Sequence, residues 1–225
     1  MKFFGDGGWW LPDCEEHLQD WMLKMHQKAP GGRLGYQLHK YEKAKSFVKQ
    51  FKTAVDIGGH VGLWSWPMAH DFEKVIAFEP VAAHRECWEQ NMSGMDNAEV
   101  YPFAVGEQHG EAVVRQRTPD SSGDTGVELN PTDEEERVQM ISLDDMNLES
   151  VDFIKLDCEG FEVFALKGAK ETILRCRPVI CVEQKPETGM EAKYGIGTTD
   201  GVEYLESLGM KRKGALQGDY FLAFD

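Results

Sequence analysis

From residue 53 onward, short apolar runs alternate with stretches of helical periodicity, and that pattern leaves few folds open. The runs are TAVDI (53–57), KVIAFE (74–79), AEVYPFAV (98–105), VDFIKLD (151–157) and PVICVE (178–183). Helical stretches over 63–72 and 81–93 separate the first three. Another, over about 161–176 with Phe164, Leu166, Ile173 and Leu174 among its apolar positions, separates the last two. Strands alternating with helices build a parallel sheet through right-handed crossovers. The C-terminal part departs from this. Asp200 is placed to cap a helix, with Glu203 at the capping-box position and Gly209 to stop it. MKRKGAL (210–216), the turn QGD and YFLAF (220–224) then read as an antiparallel hairpin. The expected fold is α/β: a mostly parallel, Rossmann-like sheet finished by a C-terminal antiparallel hairpin.

Residues 1–50 precede the first of these strands and are expected to form a helical cap on a main domain spanning 51–225. Asp13 with Glu16 has capping-box spacing, and Leu18, Trp21, Met22 and Met25 recur at helical intervals, predicting a helix over 14–28. A second helix is expected over about 38–50, and the five lysines of 38–52 are expected to form a solvated basic face. Trp9, Trp10 and Trp21 either anchor this segment to the core or meet an aromatic or sugar-like ligand. Between the third and fourth runs, 111–117 and 137–143 read as extra strands. They flank TPDSSGDTGVELNPTDEEE (118–136), which is either a mobile loop over a site or a solvated surface loop.

Charge narrows the function. A net charge of −15 argues against sequence-independent nucleic-acid binding, which needs a basic surface to displace counterions. No apolar run approaches the roughly 18–20 residues that span a bilayer. MKFFGDGGWWLPDCEE lacks the apolar core and cleavage site of a secretory signal. The five cysteines form no CxxC pair, so neither a zinc site nor a disulfide framework is expected. These features predict a cytoplasmic protein with neither nucleic acid nor membrane as partner.

The stretch AVDIGGHVGLWS (54–65) ends the first strand and opens a helix. A dinucleotide fingerprint fails here because His60 stands where the second glycine would be, and a P-loop fails for want of Gly-Lys-Ser/Thr. What remains is D-x-G-G-x-x-G: Asp56, Gly58, Gly59 and Gly62. Glu79 ends the second strand, 21 residues after Gly58, where a carboxylate can accept both ribose hydroxyls of an adenosine. An acid inside the turn would repel a pyrophosphate but suits a ligand bearing an ammonium and a sulfonium. S-adenosylmethionine has that chemistry.

Two blocks then carry a family resemblance: VDIGGHVGLWS…VIAFEPV (55–81) and VDFIKLDCEGFEVFALKGAKETI (151–173). The second is close to D-x-I-K-x-D-x-E-G-x-E-x-x-x-L-x-G-A, and the chain from about 50 to 225 resembles the FkbM-type methyltransferases, a branch of the S-adenosylmethionine-dependent class I enzymes. His60 stands where that family commonly has Asn. The resemblance implies a seven-stranded class I fold, with the cofactor across the C-terminal edges of the first two strands. By position, Asp56, Gly58 and Gly62 would line its methionine part, with Gly59 and His60 in the same turn. Glu79 would meet the ribose, and Phe103 and Ala104 would border the adenine, while Val81 either touches it or belongs to the core.

Methyl transfer to a hydroxyl needs alignment and a proton acceptor. The candidates end strands four and five: Asp157 first, Glu159 second, and Glu183. Asp157 could alternatively cap a helix, and Glu159 could merely complement a helix dipole. Asp157 and Glu183 could also hold Mg²⁺, which the spacing permits without requiring. Lys155 could pair with an acid. Cys158 follows Asp157 rather than the Pro of cytosine-type methylases, so it reads as structural. DCEG is likewise not the D/N-P-P-Y/F of amine methylases, which favours a hydroxyl acceptor, and the family resemblance implies O-methylation of a sugar or other small hydroxylated molecule. The alternatives are an N-methyltransferase on the same fold and a non-catalytic cofactor-binding module.

Overall fold

A computed structural model describes residues 1–128, 136–185 and 194–225. The chain opens with a hairpin, β1 (Lys2–Phe4) and β2 (Trp9–Leu11), followed by α1 (His17–Met25) and α2 (Leu38–Lys45). The alternating part runs β3 (Thr53–Ile57), α3 (Ser65–Asp71), β4 (Lys74–Phe78), α4 (Ala82–Asn91) and β5 (Ala98–Tyr101). Four short strands come next: β6 (Phe103–Val105), β7 (Gly110–Thr118), β8 (Ser121–Glu128) and β9 (Glu136–Ile141). Then follow β10 (Phe153–Leu156), α5 (Glu162–Lys167), α6 (Lys170–Cys176) and β11 (Val179–Glu183). The last elements are α7 (Asp200–Ser207), β12 (Lys211–Leu216) and β13 (Asp219–Ala223).

Seven strands form one sheet in the order β12-β13-β11-β10-β3-β4-β5. The five from β11 to β5 are parallel, and the C-terminal hairpin adds antiparallel to β11. Strand alternation divides the core in two. Ala54, Val75, Phe153 and Phe221 face the N-terminal elements, α3 and α4, whereas Val55, Ile76, Ile154 and Leu222 face α5, α6 and α7. Among the described residues no helix is long and apolar enough to cross a membrane. All five cysteines are free thiols.

The structure alters several expectations. The run 98–105 is two strands, because Pro102, which has no N–H, ends β5; β6 then joins a second sheet of order β6-β9-β7-β8. Residues 121–128 of the expected loop are a strand paired with β7; its last part, 129–135, lies outside the described residues. The helix expected over 161–176 breaks at Gly168, where a Cβ would come within 1.9 Å of the Gly106 carbonyl oxygen. Leu174 is exposed. At α1 the N-cap is Glu16 and the preceding Glu15 accepts from the Leu18 amide through Oε1 at 2.7 Å, while Asp13 pairs with the N-terminal amine instead. Asp200 accepts from the Gly197 amide, before the helix rather than within it.

The N-terminal segment shares the main core. Trp9 is fully buried, edge-on to Trp66, and its indole N–H donates to the Leu34 carbonyl at 2.7 Å. Nor is the α2 lysine face wholly solvated. Lys40 is buried and ion-paired with buried Asp219 of β13, a contact spanning 179 residues of sequence. Removing one partner of a buried pair strands the other charge, which typically costs about 3–5 kcal/mol. Lys40→Met should therefore lower the unfolding free energy by about that much. Lys40→Met combined with Asp219→Leu should recover most of the loss, read by urea denaturation of both variants.

Candidate active site

The C-terminal ends of β3, β4, β10 and β11 open into a cavity of about 480 Å³, roofed by the start of α1, Tyr36 and the first residues of β8. Open parallel sheets place ligands at this edge. Its floor begins at the glycine turn. Gly58 and Gly59 both donate to the Phe78 carbonyl at 3.0 Å, and the His60 amide donates to Glu79 Oε2 at 2.8 Å, so the turn is tied to the end of β4. Gly58 has φ of +80°, and a Cβ there would lie 1.9 Å from the Asp157 carbonyl oxygen. Glycine is thus required by the approach of β10, quite apart from any ligand. Gly62, at φ +90°, packs against Trp88 and does not line the cavity.

Asp56 does not line the cavity either. It is fully buried, accepts from Ser65 at 2.6 Å and lies 3.7 Å from the Lys155 ammonium. Its Oδ1 has no hydrogen-bond partner among the described residues. Burial pushes its pKa up against the pull of Lys155 and Ser65.

Glu79 lines the cavity, as do Gly58, Gly59, His60, Val81, Phe103 and Ala104. Glu79 Oε1 accepts from the Val81 amide at 2.9 Å and contacts His84 Nδ1 at 3.3 Å, whereas Oε2, among the described residues, receives only the His60 amide. Burial opposes the charge of Glu79, but His84, His60 and the Val81 amide outweigh it and hold the carboxyl below its usual range. An ionised carboxylate with lone pairs to spare, beside apolar Val81 and Phe103, could hold the ribose and base of an adenosine. His60 sits at φ +47°, a strained position for a residue with a Cβ. Its Nε2 is 2.8 Å from Ser122 Oγ, which itself donates to buried Glu15. The serine proton is therefore used, and His60 donates. Burial lowers its pKa to about 3, with His84 next in effect, so the ring is neutral.

Asp157, Glu159 and Glu183 gather at the far end, their oxygens within 4.8 Å of one another. Asp157 caps no helix. Lys155 lies 3.5 Å from Asp157, and the Lys185 ammonium lies within hydrogen-bond reach of Glu183, so two ammonium groups border the cluster. Burial disfavours Asp157's charge, yet Lys155 and Lys185 hold its pKa low. Burial, then the Asp157 charge, raise Glu159 to about 8 and Glu183 to about 9. Glu159, at φ +51°, is held by Arg117, which donates to its carbonyl at 2.9 Å. Glu162 rather than Glu159 steadies the turn, accepting from the Cys158 and Gly160 amides at 2.8 and 3.1 Å. Burial raises the Cys158 thiol well above its usual pKa, which leaves it a poor nucleophile. Trp9, Trp10 and Trp21 do not line the cavity. Tyr36, Arg117, Ser122 and Lys185 do, and no sequence motif marks them. Only the polar run 118–136 pointed toward Ser122.

The family described as methyltransferase FkbM domain matches residues 56–210. Among solved structures, the methyltransferase FkbM from Methylobacillus flagellatus KT is similar at TM-score 0.52 and 18% identity, over 78% of this chain and 44% of that one. The chain thus spans less than half the length of that protein. A putative O-methyltransferase from Klebsiella pneumoniae aligns over 93% of this chain and 90% of its own, at 13% identity and TM-score 0.49. No curated protein matches the chain.

The raised carboxyls make stability depend on pH. A carboxyl whose folded pKa exceeds its unfolded value favours folding fully below the unfolded value, about 4.5, and that contribution is lost as pH rises through the folded value. For Glu159 and Glu183 the window runs from about pH 4.5 to between 8 and 9. Unfolding free energy should fall across it, by at most about 1.4 kcal/mol per pH unit for each group. Glu183→Gln should flatten the slope, measured by urea melts from pH 5 to 9.

Proposed function

Because the chain belongs to the FkbM methyltransferase family, we propose that it transfers a methyl group from S-adenosylmethionine to a hydroxyl of a sugar or other small hydroxylated molecule. The observation that carries the reading is one cavity running from ionised Glu79 to the Asp157–Glu183 cluster. Glu79 would accept the ribose hydroxyls, Val81, Phe103 and Ala104 would border the adenine, and Gly58 and Gly59 would floor the methionine part.

S-adenosylmethionine supplies a methyl group on a sulfonium, already a good leaving group. What is left to the chain is alignment of the acceptor and removal of its proton, and holding reactants near contact can supply several kcal/mol, on the order of 7 in favourable cases. Asp157 is ionised and lines the cavity, so it is assigned as the base that takes the hydroxyl proton. Glu159 and Glu183, protonated near neutrality, would hydrogen-bond other acceptor oxygens. Lys155 and Lys185 supply the positive charge a divalent ion would bring, and no step uses Mg²⁺. The sugar-like class rests on the family, and the preference for oxygen rests on Asp157 and on DCEG in place of an amine-methylase motif. An acceptor screen with methyl tracking separates O- from N-transfer, and a pure binding module would hold cofactor without turnover.

Calorimetric titration with S-adenosylhomocysteine tests the cofactor. Wild type should bind in the micromolar range, roughly −8 kcal/mol, and Glu79→Ala should weaken binding at least about tenfold, the loss of a charged hydrogen bond. Failure of wild type to bind would overturn the reading. Asp157→Asn should keep the cofactor but lower kcat by about 10²–10⁴, with turnover persisting in excess chelator.

A further inference from the structure

Tyr36 lines the cavity from the N-terminal segment, outside the 56–210 family match. Its hydrogen bonding leaves a proton to be placed. The neighbouring Gln37 side chain contacts two groups, the Trp64 indole nitrogen at 3.4 Å and the Tyr36 hydroxyl at 3.0 Å. An indole N–H can only donate, so Gln37 must present its carbonyl oxygen to Trp64 and its NH₂ to Tyr36. The Tyr36 oxygen is therefore an acceptor toward Gln37, and its own O–H points elsewhere. Among the described residues none accepts that proton. Burial, followed by the nearby Asp157 and Glu183 charges, raises its pKa, which keeps the phenol protonated as a donor.

The surroundings indicate what it donates to. Lys155 lies over the Trp64 ring, 5.8 Å from its centroid, and its ammonium reaches the Gly58 carbonyl at 3.4 Å. Tyr36, Trp64, Lys155 and Gly58 thus line one end of the cavity, past Gly58 from the Glu79 end. That end offers two fixed donors, Tyr36 O–H and the Lys155 ammonium, beside the Gly58 carbonyl as an acceptor. Such a set matches a zwitterion, a carboxylate toward the donors and an ammonium toward the acceptor.

We propose that Tyr36 donates its phenolic proton to the carboxylate of the cofactor's amino-acid tail, making the N-terminal segment part of the cofactor site. This rests on the S-adenosylmethionine reading above. The test compares two ligands, S-adenosylhomocysteine, which carries the tail, and 5′-methylthioadenosine, which has neither its carboxylate nor its ammonium. Tyr36→Phe keeps the ring and its edge contact with Trp21 at 4.8 Å. It should weaken S-adenosylhomocysteine about ten- to a hundredfold, the loss of a hydrogen bond to a charged group, while leaving 5′-methylthioadenosine within about twofold of wild type. Equal affinity of wild type and variant for both ligands would overturn the proposal. So would equal weakening of both, which would mark Tyr36 as a packing residue. If wild type binds neither ligand, the cofactor reading itself falls, a result distinct from either of those.

Discussion

The buried ammonium of Lys155 governs the middle of the sheet's C-terminal edge. It sits 3.7 Å from Asp56 at the end of β3 and 3.5 Å from Asp157 at the end of β10, and reaches back to the Gly58 carbonyl. Two carboxylates on adjacent parallel strands would otherwise repel each other in a medium of low polarity. Burial works against the lysine's charge, but Asp157 and Asp56 more than compensate and keep it protonated. The lysine thereby settles the charge state of the groups around it. Asp157 can remain ionised because of it, and that ionised state pushes the protons of Glu159 and Glu183 to higher pH. Glycine at position 58 belongs to the same arrangement, since a side chain there would hold β3 and β10 too far apart.

Two residues at this edge with side chains, His60 and Glu159, hold left-handed backbone conformations. Each is fixed by neighbours on several sides: His60 by Glu79 and Ser122, Glu159 by Arg117 and by the Glu162 carboxylate that binds the amides beside it. Strained residues persist where their surroundings over-determine them, and they concentrate at functional sites.

The main sheet was legible because its strands are buried on both faces, which writes continuous apolar runs into the sequence. Asp56, Glu79, Asp157 and Glu183 could be found because strand ends are readable. Their orientation was not. Asp56 follows Val55 just as plainly as Asp157 follows Leu156, yet only Asp157 reaches the cavity, since Asp56 is turned toward Ser65 and Lys155. The second sheet was partly hidden. Its β8 reads SSGDTGVE, polar and glycine-bearing, and becomes a strand through pairing with β7 rather than through propensity. The N-terminal contribution was hidden for another reason. Glu15, Tyr36 and Lys40 act on partners more than a hundred residues away or across the cavity, and spacing within a sequence carries no trace of such contacts.

The ion pair between Lys40 and Asp219 also bears on how the polypeptide is made. Lys40 leaves the ribosome 179 residues before its partner, and at about 5–20 residues per second it waits on the order of ten seconds or more. Glu15 waits for Ser122 across 107 residues. The N-terminal segment therefore keeps a charge that is buried in the finished fold unpaired until the β12–β13 hairpin has been made.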